Sequence, residues 1–201
     1  MRILVHGAAG QMGTVLRRMI GEGCRSSVLA GAVDERSDLP GLLQSLDAFQ
    51  GETDCIIDFS HHSATRFLTD YAVRRKLPLV IATTGQAEGE QELIRRAAAQ
   101  IPIFCSGNMS LGVALLAELA RMTVKMFPDA DVEIVEQHHN RKVDVPSGTA
   151  LMLAKAIQSV RTDSTLNIGR HENGRRTRQE IGIHSLRMGN TLGIHEVIVN
   201  T

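Results

Sequence analysis

The chain has 201 residues, of which 43% are hydrophobic and 22% are charged, as in an ordinary globular protein of one or two domains. Basic and acidic residues number 22 each, and this zero formal charge argues against a nucleic acid or a membrane surface as the main partner. Three widely separated cysteines form neither a disulfide framework nor a zinc pattern, which predicts a reducing, cytoplasmic environment. The N-terminus begins with an apolar run rather than a targeting leader, and no apolar stretch reaches membrane-spanning length.

Short apolar runs alternate with helical patterns through the first half of the chain. The spacing of apolar residues and the bounding glycines predict strands at 2–7, 28–34, 54–60, 77–85 and 101–107, and helices at 11–23, about 63–75 and 90–99. Strands and helices that alternate with short loops are typical of a parallel sheet covered on both faces. We therefore predict an α/β, Rossmann-like domain over residues 1–108.

The pattern changes after Asn108. We predict a long helix at 110–127, apolar on most of its circumference and so buried between two bodies. A strand at 130–139, a helix at 147–160 and a polar stretch at 161–179 follow, and 180–201 reads as two strands joined by the turn "MGN". These elements predict a second, α+β domain with a mixed sheet over residues 109–201, which would bind substrate and mediate oligomerisation.

The segment GAAGQMG (residues 7–13) lies between the first predicted strand and the first predicted helix. Its glycines Gly7, Gly10 and Gly13 suit a tight turn, close approach of a pyrophosphate and close packing of helix on strand. Asp34 ends the second strand, where a carboxylate would accept hydrogen bonds from both ribose hydroxyls of NADH. Arg36 could instead meet the 2′-phosphate of NADPH. A simple strand-to-helix turn is the alternative interpretation.

Two further loops follow predicted strands, where an open α/β sheet binds ligands. They are ATTG (82–85) and SGNMS (106–110), and Thr83, Thr84 and Gly85 could contact a nicotinamide ribose or carboxamide. Ordinary turn chemistry is the competing explanation for each loop. Phe59, after the third strand, could pack on the coenzyme or equally lie in the core.

Residues 136–150 read EQHHNRKVDVPSGTA and combine polar and cationic side chains unusually densely. Adjacent histidines on an extended segment point to opposite sides, so one metal ion could not easily bind both. A zinc site would also lack convincing third and fourth ligands, and we predict no metal. A capped helix with a polar lead-in would explain Pro146 and Ser147 but not the two histidines and the lysine.

This segment instead suits a small anionic substrate. Ser147 would cap a helix whose first turn holds Gly148 and Thr149, and the free amides and hydroxyls there would bind a carboxylate. Lys142 adds a positive charge, and a neighbouring histidine could donate a proton near neutral pH. We therefore expect a substrate that gains a hydride on one atom and a proton on another.

The chain resembles the 4-hydroxy-tetrahydrodipicolinate (dihydrodipicolinate) reductases of the bacterial and plant route to diaminopimelate and lysine. The resemblance rests on GAAGQMG (7–13), DFS (58–60), ATTG (82–85), SGNMSLGV (106–113) and, above all, EQHHNRKVDVPSGTA (136–150). These motifs span nearly the whole chain. The family's enzymes use NADH or NADPH, act on a small dicarboxylate, release water, and are usually homotetramers joined through the sheet of the second domain.

The resemblance implies roles for individual residues. His138 would protonate the substrate, Lys142 would bind and polarise it, and His139, Ser147, Gly148 and Thr149 would hold its two carboxylates. The residues predicted to bind the dinucleotide are Gly7, Ala8, Gly10, Gln11, Met12, Gly13, Asp34, Phe59, Thr83, Thr84, Gly85, Ser106, Asn108 and Met109.

Two departures from the family pattern bear on function. Family members commonly have arginine at the position of Gln11, so a contact on the phosphate side could be weaker. The family also continues past GIHEVIVNT with a segment that completes the first domain, and without it we expect lower stability or greater dependence on oligomer contacts. Two alternative functions remain. One is a dinucleotide-binding sensor or partner subunit without turnover. The other is a different two-domain dehydrogenase, for example one that acts on an amino-acid semialdehyde, but Cys105 lacks a matching histidine nearby in sequence.

Overall fold

The computed structural model describes residues 1–36 and 38–201, which form two compact units, Met1–Ser106 and Gly107–Thr201. Within the described part of the chain, we find no helix whose length and apolar character would let it cross a membrane. Cys24, Cys55 and Cys105 are free thiols.

The first unit is a parallel sheet with three α-helices. Its elements in chain order are β1 (Arg2–His6), α1 (Gln11–Gly21), β2 (Val28–Val33), β3 (Cys55–Asp58), α2 (Thr65–Arg75), β4 (Leu79–Ile81), α3 (Glu88–Ala98) and β5 (Ile103–Cys105). Short 3-10 turns cover Cys24–Ser26, Leu46–Ala48 and His62–Ala64. Every element predicted for this half of the chain is present, and the observed strands are shorter than the predicted runs at their ends.

The strand order of the first sheet is β2-β1-β3-β4-β5, with all neighbours parallel. The chain adds β2 on one side of β1 and then β3, β4 and β5 on the other side, so the strand order reverses between β1 and β3. Ligands of open α/β sheets bind at the carboxyl ends of the strands beside such a switch point. Leu4, Ile56 and Ile81 are fully buried in the core of this unit. The predicted Rossmann-like α/β fold is confirmed.

The second unit is a mixed sheet with two helices. It contains α4 (Leu111–Met126), β6 (Asp131–His138), α5 (Gly148–Gln158), β7 (Thr165–Ile168), β8 (Glu180–Arg187) and β9 (Ile194–Asn200), with strand order β7-β8-β6-β9. Along β6 every second residue is buried, starting with Val132, so one face of the strand lies on the core. Ile134, Leu153 and Ile181 are fully buried in that core.

Two features of the second unit were not predicted from the sequence. The polar stretch 161–179 contains the edge strand β7, which pairs with β8. The last two strands exist but are not neighbours, because β6 lies between them, parallel to β8 and antiparallel to β9. The six residues 188–193 therefore connect strands on either side of β6 and are not a hairpin turn.

The long helix α4 is also less buried than its composition predicts. Only Ala120 and Val124 are buried. An exposed apolar face carries Leu111, Leu115, Leu119, Met122 and Met126. The helix packs mainly against α5, and a helix packed along one side buries only the stripe of residues that faces its neighbour.

Candidate functional site

The loop between β1 and α1 is built on two glycines that leave no room for a side chain. Gly7 has φ 74°, and a Cβ there would overlap the backbone of Phe59 and Ser60 at the end of β3. A Cβ on Gly13 would overlap the backbone of Gly7 and Ala8, so the first turn of α1 packs directly against the loop. This close packing leaves the N-terminus of α1 directed at the loop, which is the geometry that binds a pyrophosphate.

Asp34, just after β2, is tied to the same loop. One carboxylate oxygen accepts a hydrogen bond from the Ala9 amide at 2.9 Å, and the other accepts one from the Arg36 amide at 3.0 Å. The carboxylate is therefore held in place before any ligand binds. A carboxylate has more than two acceptor positions, so it can still accept from a ribose hydroxyl.

Two grooves lie at this edge of the first unit and share Phe59, Ser60 and His61. The first, of about 460 Å³, is bounded by the glycine loop and by Asp34 and Arg36. The second, of about 420 Å³, includes Thr83 and Thr84. The two together run from the end of β2 to the end of β4, across the switch point of the sheet.

Most of the predicted dinucleotide-binding residues line these grooves: Gly7, Gly10, Gln11, Met12, Asp34, Phe59, Thr83 and Thr84. Ala8 and Gly13 are buried beneath the loop and shape it from inside. Gly85, Ser106, Asn108 and Met109 line neither groove, and Asn108 and Met109 belong to the second unit. Phe67 lines the first groove and was not predicted, because it lies one turn inside α2 rather than in a loop.

A buried pair supports the floor of the grooves. His6 Nδ1 lies 2.8 Å from an Asp58 carboxylate oxygen, and both side chains are almost fully buried. The same oxygen accepts hydrogen bonds from the Ser60 amide at 3.1 Å and the Ser60 hydroxyl at 2.6 Å. The turn after β3, which the Gly7 backbone approaches closely, is fixed by these bonds.

In the second unit, the predicted helix cap is present. Ser147 is the N-cap of α5, and its hydroxyl accepts a hydrogen bond from the Ala150 amide at 3.2 Å. The Ser147 amide donates to Glu136 at 3.1 Å. Because amides in the first turn of a helix have no intrahelical acceptor, those of Gly148 and Thr149 are the ones positioned to bind an anion.

Glu136 is the centre of this site, and sequence reasoning did not select it. The side chain is fully buried, and Arg187 on β8 donates to both carboxylate oxygens, at 2.7 and 2.8 Å. Burial acts to raise the pKa of Glu136, but hydrogen bonds, first among them those from Arg187, outweigh it and hold the pKa at about 2. The carboxylate is thus ionised at neutral pH, and the same interaction raises the pKa of Arg187.

His138 is hydrogen-bonded to this carboxylate. Its Nδ1 lies 2.5 Å from Glu136 Oε2, and the ring is 8% exposed. His195 on β9 lies edge-on to the His138 ring, with centroids 5.2 Å apart, and its Nε2 is 3.2 Å from the Ser147 hydroxyl. Sequence analysis did not select His195 as a site residue. Its place beside His138 follows only from the pairing of β9 with β6.

The pKa of His195 is lowered, chiefly by burial and further by the nearby charge of His138. A neutral His195 ring can accept a hydrogen bond from the Ser147 hydroxyl. The site therefore holds two imidazoles in different environments, and only His138 is bonded to a carboxylate.

The other two predicted substrate contacts of this loop are Lys142 and His139. Lys142 Nζ lies 2.7 Å from an Asp144 carboxylate oxygen, and 21% of the lysine side chain is exposed. Burial acts to raise the pKa of Asp144, but the bond from Lys142 contributes to a net lowering. His139 Nδ1 is buried and has no hydrogen-bond partner among the described residues, which is unusual for a buried polar atom.

Thr149 is bonded to a residue that was predicted to bind the coenzyme. Its hydroxyl accepts a hydrogen bond from the Asn108 side-chain NH₂ group at 2.9 Å. The side-chain oxygen of Asn108, Oδ1, accepts a hydrogen bond from the Ser110 backbone amide at 2.8 Å. Asn108 thus links the starts of α4 and α5 inside the second unit.

Glu136, His138 and His195 could in principle be metal ligands, because their donor atoms all lie within 4.8 Å of one another. The arginine argues against a cation at this cluster. Both oxygens of Glu136 are occupied by the Arg187 guanidinium, whose positive charge would repel a metal ion. The donor set is better explained by the hydrogen bonds already present.

Cys105 does not have the properties of a reactive nucleophile. Burial raises the pKa of its thiol, and the charge of Asp58 raises it further. A raised pKa lowers the thiolate fraction at neutral pH, so the environment disfavours the semialdehyde dehydrogenase alternative.

Comparison with known proteins gives a consistent result. The family model "Dihydrodipicolinate reductase, N-terminus" matches residues 1–109, and "Dihydrodipicolinate reductase, C-terminus" matches residues 112–201. A 4-hydroxy-tetrahydrodipicolinate reductase from Caldanaerobacter subterraneus subsp. tengcongensis is 43% identical over 98% of this chain and 80% of its own length. One from Clostridium tetani is 39% identical over 98% of this chain and 79% of its own length.

A solved structure shares the fold. The dipicolinate-bound dihydrodipicolinate reductase from Paenisporosarcina sp. TG-14 matches with a TM-score of 0.74 and 21% identity, over 100% of this chain and 83% of that chain. The first unit is accordingly a dinucleotide-binding domain of the NAD(P)H type. By both of its halves, the chain belongs to the dihydrodipicolinate reductase family of oxidoreductases.

Proposed function

We propose that the chain reduces 4-hydroxy-tetrahydrodipicolinate to 2,3,4,5-tetrahydrodipicolinate, in the route to diaminopimelate and lysine. The observation that carries this proposal is the 43% identity, over 98% of the chain, to a reductase named for that substrate. The substrate gains one hydride and one proton and releases one water. The chain must therefore bind two carboxylates and supply the proton.

His138 is the proposed proton donor. Its Nδ1 is committed to Glu136, so Nε2 is the nitrogen that exchanges a proton with substrate. Because His138 is largely buried, its proton exchanges less with bulk water while it is being transferred to the substrate. Lys142 is proposed to bind and polarise the substrate, which requires its ammonium to exchange Asp144 for a substrate group.

The substrate carboxylates are proposed to bind at the start of α5 and at His139. The amides of Gly148 and Thr149 and the dipole of the helix favour a negative group there. His139 Nδ1 is a buried polar atom without a hydrogen-bond partner in the described part of the chain, and a ligand oxygen would satisfy it. The Ser147 hydroxyl contributes mainly by capping the helix and by holding His195.

When bound, a reduced nicotinamide coenzyme supplies the hydride. The glycine loop and the two grooves of the first unit fit a dinucleotide. The loop can pack against β3 and α1 in this way because Gly7 and Gly13 carry no Cβ, which would overlap the neighbouring backbone. Asp34 favours NADH by accepting from a ribose hydroxyl, and Arg36 beside the same groove leaves NADPH as an alternative. We further propose a cytoplasmic homotetramer, to be checked by light scattering and cell fractionation.

A coupled assay tests the function. Dihydrodipicolinate synthase generates the unstable substrate in the cuvette, and oxidation of NADH and of NADPH is followed separately. His138→Ala and Lys142→Ala should each lower turnover by about 10²- to 10⁴-fold and leave the dinucleotide dissociation constant unchanged. His184→Ala is the matched control, since His184 belongs to the same sheet but pairs with Glu133.

Two outcomes would count against the proposal. No oxidation above background by the wild-type chain, with dinucleotide binding intact, would favour the sensor without turnover. Wild-type rates in both His138→Ala and Lys142→Ala would refute the assignment of these residues.

A further inference from the structure

The buried carboxylate of Glu136 receives more hydrogen bonds than an acid with a purely structural role needs. Arg187 reaches it from β8, the Ser147 amide from the start of α5, and His138 from the same strand two residues later. These donors come from three different elements and converge on one side chain. The carboxylate therefore cannot rotate without breaking several bonds at once, and it offers His138 a fixed acceptor.

The bond from His138 determines which ring nitrogen carries a proton at rest. An ionised carboxylate can only accept, so the hydrogen between Glu136 Oε2 and His138 Nδ1 belongs to the histidine. Nε2 is then the nitrogen that gains and loses the second proton. Gly193 lies beside this atom, and a Cβ built on Gly193 would be only 3.0 Å from Nε2. A side chain at 193 would press on the nitrogen that has to meet substrate.

We infer that Glu136, held by Arg187, is a positioning residue that fixes the tautomer and ring orientation of His138, and that Gly193 keeps the Nε2 side of the ring open. The inference rests on the proposed reductase function for its catalytic meaning. Glu136 does not touch substrate in this scheme and acts through His138. It is the counterpart, in a reductase, of the acids that orient catalytic histidines in other enzymes.

Two titratable groups contact His138 directly: Glu136 on its own strand and His195 on β9. Arg187 on β8 binds Glu136, and Lys142 in the loop before α5 acts electrostatically on His195. Glu136 is the one carboxylate bonded to the ring within the described residues. Replacing it by a neutral amide removes the fixed anionic acceptor of the Nδ1 proton and leaves the Arg187 charge without its partner.

Glu136→Gln is the direct test, with kcat, KM and the pH dependence of kcat/KM measured in the coupled assay. We expect kcat to fall about 100-fold with KM changed far less, because orientation rather than binding is lost. The pH profile of kcat/KM should change as well, because an amide, unlike a carboxylate, does not fix which ring nitrogen carries the proton. A wild-type kcat together with an unmoved pH profile would overturn the inference.

Glu133→Gln is the matched control. Glu133 lies on the same strand but on its other face, and it also binds an arginine and a histidine, Arg176 at 2.8 Å and His184 at 3.0 Å. This substitution removes the same charge from a similar network away from His138. We expect kcat and the pH profile to stay at wild-type values. Equal effects of the two substitutions would mean that charge loss on the strand, rather than positioning, causes them.

Gly193→Ala tests the geometry without touching a charge, and it serves if Glu136→Gln does not fold. The added methyl group should lower kcat at least about 10-fold by crowding Nε2, with no movement of the pH profile. Gly89→Ala, on α3, should be neutral, because no described atom outside its own stretch of helix backbone lies within 4 Å of the added carbon. A fully active Gly193→Ala variant would refute the assignment of Nε2.

Nitrogen-15 NMR of the histidine rings separates this inference from the proposed function. In the resting wild-type chain, His138 should be protonated at Nδ1 in the neutral form, whether or not the chain turns over this substrate. An Nε2-protonated neutral ring would overturn the inference even in an active reductase. Absence of turnover with the expected Nδ1-protonated ring would refute the proposed function alone.

Discussion

The candidate site of the first unit consists mainly of glycines and main-chain amides, whereas that of the second unit consists of ionised side chains bonded to one another. In the first, Gly7 and Gly13 matter because they lack a side chain. In the second, Glu136 and Arg187 matter because their charges satisfy each other in a buried place. Substitutions in the first unit should therefore act by steric overlap, and those in the second by loss of charge or of a hydrogen bond.

The largest difference should appear in acid. The pKa of Glu136 in the folded chain is about 2, below its usual 4.5, so its carboxylate stabilises the second unit above about pH 4.5. This contribution is lost as the pH falls from about 4.5 towards 2, and it amounts to about 3 kcal/mol. We expect the protection factors of the β6 and β8 amides against hydrogen exchange to fall over this range.

Glu136→Gln sharpens this prediction. The variant should be less stable at pH 7, because it leaves the Arg187 charge, only 17% exposed, without its partner. Its stability should also depend less on pH below 4.5. Glu133→Gln serves again as control, since Glu133 is a quarter exposed and lies on the other face of the strand. The same acid dependence in wild type and Glu136→Gln would contradict the assignment.

A smaller effect is expected from Gly13→Ala in the first unit. The methyl group would overlap the backbone of the glycine loop, which should destabilise this unit by about 1–3 kcal/mol and weaken dinucleotide binding. Gly21→Ala, at the end of the same helix, should leave both quantities nearly unchanged, because apart from its own helix backbone no atom of residues 1–36 and 38–201 lies within 4 Å of the added carbon. Melting temperature and calorimetric titration with NADH measure the two effects. Equal behaviour of the two variants would show that the loop tolerates a side chain.

The smallest predicted effect concerns the choice of coenzyme. Asp34→Asn removes a charged acceptor, so NADH affinity should fall about tenfold, as for one lost hydrogen bond to a charged group, with little change for NADPH. Arg36→Ala should weaken NADPH instead. Calorimetry with both coenzymes measures this, and Asp70→Asn on the exposed side of α2 is the control. An equal loss for both coenzymes in Asp34→Asn would mean that Asp34 acts only through the Ala9 amide.

The exposed apolar face of α4 shows where composition misleads. Sequence analysis expected that helix to be buried, because apolar residues cover most of its circumference. In the structure only one stripe packs, mainly against α5, and Leu111 and Met126 are among the most exposed apolar residues. Composition reports what a helix could bury, whereas its neighbours decide what it does bury.

Local chemistry was sufficient to predict the elements of the first unit, the glycine loop and the N-cap at Ser147, because each depends on residues adjacent in sequence. The parallel strands were recognisable as continuous apolar runs, since the central strands of a sheet covered on both faces bury both of their sides. Likewise, the start of α5 followed from serine, glycine and threonine in the order that caps a helix.

What only the tertiary structure decided is which strands are neighbours, and hence which charges meet. Nothing in the local pattern of 180–201 places β6 between β8 and β9, yet that arrangement brings Arg187 and His195, about fifty residues away, to Glu136 and His138. Strand order follows from long-range burial of whole faces, and hydrogen bonds between distant side chains are its consequence. A short segment of sequence encodes the groups of this site, but not their partners.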